Sequence, residues 1–203
     1  MKNIVLCLDD FCDRLNRLDL LYQLKARFAN FKVTLWTVPM WTTPQFRDEI
    51  AKLPWVQLGM HGWEHGADEV ELWDGLNFRS KLGEIAKTGK YIKGFHSPGW
   101  GYNKELYEFL RDIGWFITEH PDHPERVPEG LKVYFPGGGP QTIGKWHLFG
   151  EGHGQEDLQE DMVLRVHGHT GDKGVTNSIS YLFPQLMKYP EDTNFLFISE
   201  LFL

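Results

Sequence analysis

The chain is predicted to be an α/β protein built on a mainly parallel sheet. Two observations carry that expectation. Short β-branched or aromatic runs recur along all 203 residues, and apolar stripes at helical spacing or capped helix starts lie between several of them. A third sets the scale: 41% hydrophobic and 24% charged residues is ordinary globular composition, in a chain long enough for one domain with a substantial core. One domain over residues 1–203 is therefore expected.

In chain order, the first strand candidate is Ile4–Leu8. Leu15, Leu18, Leu21 and Leu24 then repeat every third residue and mark one face of a helix. Lys32–Thr37 is the second strand. Thr43-Pro44 reads as an N-cap with proline at the first helical position, starting a helix that runs to Ile50. Val56–Gly59 is the third strand, and Phe78, Leu82 and Ile85 give the stripe of the next helix. After the strand Tyr91–Phe95, Asn103 caps a helix with Leu106, Phe109, Leu110 and Ile113 inward and Gly114 as its stop. Trp115–Thr118, Lys132–Phe135, Met162–His167 and Phe195–Ser199 complete the strands. Asn177–Leu186 is a weaker helix, because Pro184 falls inside it. Pro121 to Gly154 is rich in Gly, Pro and His and reads as loops with one or two short strands. Seven or eight strands suit an open doubly wound sheet or a closed barrel, and periodicity does not separate the two.

With 21 Lys plus Arg against 28 Asp plus Glu, the net charge of −7 argues against a nucleic-acid or anionic-membrane partner. The apolar run before Asp9-Asp10 is too short for a signal peptide, and nothing approaches the length of a membrane span. Cys7 and Cys12 make no C-x-x-C pair and no disulfide framework. A cytoplasmic setting is the expectation. The 8 Trp and 9 His are the unusual feature, open to two readings: ordinary core and surface residues, or a substrate wall and a metal site.

Three strand ends carry the chemistry. Asp9-Asp10 follows the first strand, and adjacent carboxylates there point in different directions, so one suits a metal and the other a proton. His61-Gly62-Trp63-Glu64-His65 follows the third strand; two histidines at i and i+4 on one helical turn reach one ion. It is not the zinc-protease motif, which needs Glu directly after the first His. His167-Gly168-His169 ends a later strand. Asp with two His leaves a coordination position for water, as hydrolytic metal sites do. Gly139–Lys145 matches most of a phosphate-binding loop but is followed by Trp146 where Ser or Thr is required, so nucleotide binding is rejected.

The order Leu8-Asp9-Asp10, His61-x-x-x-His65, Phe95-His96-Ser97-Pro98 and Val166-His167 resembles the polysaccharide deacetylases, the NodB-like carbohydrate esterases, over nearly the whole chain. The resemblance implies an irregular (β/α) barrel of about seven strands and a hydrolase that removes acetyl groups from N- or O-acetylated sugars. It implies one divalent metal held by Asp10, His61 and His65, zinc first, with cobalt, nickel or manganese as alternatives. It makes Asp9 the general base and His167 the general acid, which His169 or Asp172 would replace or assist. His96, Pro98, Gly99 and Trp100 would line the substrate groove, with a backbone N–H near Gly99 helping to stabilise the oxyanion. Trp63, Trp73 and Trp100 are candidates to stack on a sugar face, whereas Trp36, Trp55 and Trp115 belong to the core.

The chain departs from the family pattern at several places. Gly62 stands where Ser or Thr is usual, and His96 where an Arg orients the base. Trp100 comes one place late, and the fourth motif has no clean counterpart beyond Asp122. These mark a divergent branch. Two rival readings keep the scaffold: hydrolysis of a non-sugar amide, or carbohydrate binding without catalysis. An acid and a base flanking a metal favour the enzyme.

Overall fold

The computed structural model describes residues 3–136, 163–171 and 178–202. The elements follow the expected alternation: β1 (Asn3–Phe11), α1 (Leu18–Arg27), β2 (Val33–Thr37), α2 (Pro44–Ile50), β3 (Val56–His61), α3 (Gly75–Thr88), β4 (Tyr91–His96), α4 (Lys104–Asp112), β5 (Phe116–Thr118), β6 (Lys132–Tyr134), β7 (Val163–His169), α5 (Ile179–Leu186) and β8 (Asn194–Leu196). All strand pairs among the described residues are parallel, in the order β6-β5-β4-β3-β2-β1-β7, and β8 adds to the first residues of β1. The sheet curls into a half-barrel. Its curl is visible in the interior, where Val5 and Cys7 of β1 meet Trp36, Phe116 of β5 and Tyr134 of β6 in one cluster.

Strand alternation decides what each face buries. Ile4, Leu6 and Leu8 of β1 turn outward to Leu20, Leu21 and Leu24 of α1 and to Leu182 and Leu186 of α5. Met60 and Phe95 meet Phe78, Leu82 and Ile85 of α3 and Leu106 and Leu110 of α4 in a second outer cluster. The interior is filled by large residues lying over small ones. A Cβ on Gly59 would stand 2.2 Å from the Trp36 ring, so β3 needs glycine there for that indole to lie flat across it.

The helix starts agree with the sequence. The Thr43 hydroxyl accepts from the Phe46 N–H at 3.3 Å, and the Asn103 side chain from the Leu106 N–H at 3.0 Å. Leu15 is an exception to the first stripe: it precedes α1, and its carbonyl instead accepts from Cys12 N–H at 3.2 Å and the Thr170 hydroxyl at 2.7 Å. Ile113 is 37% exposed rather than inward, because α4 ends at Asp112 and Gly114 turns at φ 71°. Trp36, Trp55 and Trp115 are buried as expected, and so is Trp73, which packs on Phe95 at 6.0 Å in the core. β7 extends to His169, two residues beyond the sequence estimate. The phosphate-loop-like stretch, Trp146 and Asp172 lie outside the described residues. No helix among the described residues is long and apolar enough to cross a membrane.

Candidate metal and catalytic centre

All the site residues sit at the carboxyl ends of neighbouring parallel strands, where α/β folds build their sites. Asp9 and Asp10 lie near the end of β1, His61 ends β3, His96 ends β4, and His167 and His169 lie at the end of β7. Ordinary alternation would send one of the two adjacent aspartates into the outer core. Asp10 instead takes the left-handed conformation at φ 60°, and the β1–β2 register shifts between Leu8 and Phe11. This break brings both carboxylates to the same end of the half-barrel but aims them at different partners.

Asp10, His61 and His65 form one group, and Asp9, His96 and His167 a second; in each, one ligand atom per residue lies within 4.8 Å of the others. Asp10 Oδ1 is 3.0 Å from His65 Nε2 and 3.7 Å from His61 Nε2. Asp9 Oδ2 is 3.0 Å from His96 Nε2 and 3.3 Å from His167 Nε2. His61 and His96 stack, ring centroids 4.7 Å apart, so the groups share a wall. His169 Nδ1 lies 3.4 Å from Asp10 Oδ2, against the first group rather than beside His167 in its role.

His65 does not share a helical turn with His61. The strand ends at His61, and residues 62–65 form a tight loop with Gly62 at φ 59° and His65 at φ 58°. The spacing brings the rings within 5.0 Å all the same. Glu69, which the sequence did not single out, holds this loop. Its carboxylate accepts the backbone N–H groups of Trp63 at 2.7 Å, Glu64 at 3.0 Å and His65 at 2.8 Å. The cradle explains Gly62: a Cβ there would lie 2.4 Å from Pro98 Cγ and 2.7 Å from Glu69 Oε2. Gly62→Ala is therefore expected to cost about 1–3 kcal/mol of stability through the forced backbone and to weaken metal retention through His65. Urea denaturation and metal content check both; an unchanged midpoint would contradict the assignment of strain.

The donor set suits a divalent ion. His61 Nδ1 faces the His96 carbonyl at 3.1 Å, a bond in which the ring nitrogen donates. That leaves Nε2 as a lone pair opposite a carboxylate oxygen, two acceptors facing each other with a cation's place between them. Burial drives the His61 pKa down to about 3, so the ring stays neutral, the form that ligates a metal. Burial works to raise Asp10, but hydrogen bonds from His169 and His65 and the nearby His61 outweigh it and hold the carboxyl below the usual range. Burial likewise opposes ionisation of Asp9, and His167, His96 and His61 overcome it. Both carboxylates are anions at neutral pH.

Asp9, Asp10, His61, His96 and His167 are each at most 5% exposed, while His65, His169 and Trp100 are half-buried and Gly99 is exposed, marking the open side. Trp100 also has a left-handed backbone, at φ 59°, and its ring lies 4.5 Å from His96 and 5.4 Å from His167. Trp63 packs beneath Lys81 of α3, which stands 4.8 Å from its ring. Trp41, also unmarked in the sequence, lies 5.1 Å from the His65 ring. Cys7 Sγ sits 3.4 Å from His167 Nδ1, behind the second group. Asp122 stands near His120 Nδ1, at 3.8 Å, on an exposed turn.

No family model and no curated protein sequence matches this chain. Solved structures do. A chitin deacetylase from Colletotrichum lindemuthianum superposes with a TM-score of 0.61 at 14% identity, covering 98% of this chain and 86% of that one. The fold is that of the polysaccharide deacetylases. A family 4 acetyl xylan esterase from Clostridium thermocellum, solved with a cobalt ion, matches at TM-score 0.56 and 15% identity over 99% and 90% of the two chains. The polysaccharide-deacetylase fold is not confined to esterases. A 4-alpha-glucanotransferase from Thermococcus litoralis matches at TM-score 0.62 and 14% identity, over 98% of this chain and 40% of the larger enzyme. The fold alone does not assign the reaction.

Proposed function

We propose that this chain is a divergent polysaccharide deacetylase, a metal-dependent hydrolase that removes the acetyl group from an N-acetylated or O-acetylated sugar, with residues 1–203 as one catalytic domain. The observation that carries the proposal is the pair of Asp–His–His groups at the strand ends, one able to hold a metal and the other to move protons. The solved neighbours support the substrate class, since several of them deacetylate sugars.

Asp10, His61 and His65 would hold the ion, zinc first, with cobalt, nickel or manganese as alternatives. Bound there, it supplies Lewis-acid polarisation of the acetyl carbonyl and a nucleophile available at neutral pH. Asp9 takes the proton of the attacking water. His167 Nε2 stands 3.3 Å from the same carboxylate, placed to receive that proton from it. His167 then delivers the proton to the departing amine or alkoxide. His96, 3.0 Å from the same Asp9 oxygen, orients the base as the family's arginine would. Trp100 walls the acid's side of the site, Pro98 and Gly99 continue that wall, and Trp63 and His169 would complete the substrate contacts.

Chelator-treated protein reloaded with zinc should release acetate from N-acetylated or O-acetylated oligosaccharides, and the chelated form should not. Metal-loaded protein that releases acetate from neither class would overturn the proposal.

A further inference from the structure

The second group resembles the first closely enough to act as a ligand set. We propose that Asp9, His96 and His167 form a second divalent-cation site, and that an ion bound there silences the enzyme by capturing its base and its acid. The inference rests on the function proposed above and deepens it with a mode of inhibition.

Three observations carry it. First, the separations suit a shared ion. Around a tetrahedral zinc with bonds of about 2.0–2.1 Å, neighbouring ligand atoms stand about 3.3 Å apart. The Asp9–His96 and Asp9–His167 separations are 3.0 and 3.3 Å. Second, the group's own hydrogen bonds leave a buried carboxylate oxygen unanswered. Asp9 Oδ1 has no hydrogen-bond partner among the described residues, although Asp9 is 3% exposed. Third, His167 is held from behind in the ligating sense. The Cys7 thiol donates to the Val166 carbonyl at 3.5 Å, leaving its sulfur to accept from His167 Nδ1 at 3.4 Å. That bond directs the Nε2 lone pair at Asp9.

One carboxylate and two imidazoles select a borderline first-row ion, zinc above magnesium or calcium. The second ion must bind more weakly than the first. It enters beside an existing double charge and displaces the contacts between Asp9 and its two histidines. An arginine at position 96 would exclude it, as a fixed cation with no lone pair to offer.

The test titrates the chelator-treated 203-residue chain with zinc, counting bound ions by native mass spectrometry and following acetate release in parallel. Two successive binding events are expected. Activity should rise with the first and fall about a hundredfold or more with the second, the scale of lost acid–base catalysis. His96→Arg should bind one ion and show no fall at excess zinc, whatever its basal rate. A cobalt titration of the unsubstituted chain, read by its d–d absorption, gives two steps without any variant. Saturation at one ion overturns the second site and leaves the proposed function standing. A second ion that survives His96→Arg lies elsewhere, for example on loop histidines, and also overturns it. No bound ion at all overturns the metal-dependent function itself.

Discussion

Asp9→Asn is expected to lower kcat for acetyl release by about 10²–10⁴-fold, the range for loss of a general base, while the first metal ion stays bound. Asparagine has nearly the shape of aspartate, and Asp9 belongs to a different group from Asp10, His61 and His65. The substitution keeps a polar side chain between His96 and His167 but removes the anion that accepts a proton. The fold should tolerate it well. Burial already opposes the Asp9 charge, and the β1 end stays tied to β7 through the Asp9 carbonyl, which accepts from the Thr170 N–H at 3.0 Å. Steady-state kinetics beside metal analysis separates the outcomes. Full metal content with collapsed turnover supports the base. Activity within about tenfold of the parent would remove Asp9 from that role.

The alternation of strands and helices was legible because parallel strands are short, β-branched and bounded by capped helices, as at Thr43-Pro44 and Asn103. Curl was not legible in that periodicity, since it depends on distant side chains such as Trp36 and Phe116 meeting across the interior, their rings 6.1 Å apart; the family resemblance alone implied the barrel. At the site, residue types at strand ends announced both aspartates and the histidines. Their pairing did not follow from spacing. Asp9 and Asp10 reach separate groups only because the backbone at Asp10 is left-handed, and His65 meets His61 through a strained loop rather than a helical turn. Glu69 has no sequence signature, because its work is to accept backbone N–H groups and a half-buried glutamate that does so looks like any other in the sequence. Gly62, a departure when set beside the family pattern, is what that loop requires.

Asp10→Asn should remove the first ion. Asparagine tolerates the left-handed backbone that Asp10 adopts at φ 60°, so the local chain keeps its course and the effect is on ligation. The side chain loses its charge and one strong ligand oxygen, leaving His61 and His65 as two neutral donors. Affinity should fall by more than about a hundredfold, since loss of a mere outer-shell partner already costs about 10–100-fold. Stability gives a readout that does not depend on turnover. With free zinc buffered at about a thousand times the first dissociation constant, binding adds about 4 kcal/mol to the parent. For a chain of this size that is a rise in Tm of about 8–16 °C. In the asparagine variant most of that increment should vanish, while the two metal-free proteins melt within a few degrees of each other. An equal zinc-dependent rise in both would show that the ion is held without Asp10. The ligand set would then have to be sought in the neighbouring Asp9, His96 and His167, and the assignment of base and metal ligand between the two aspartates would reverse.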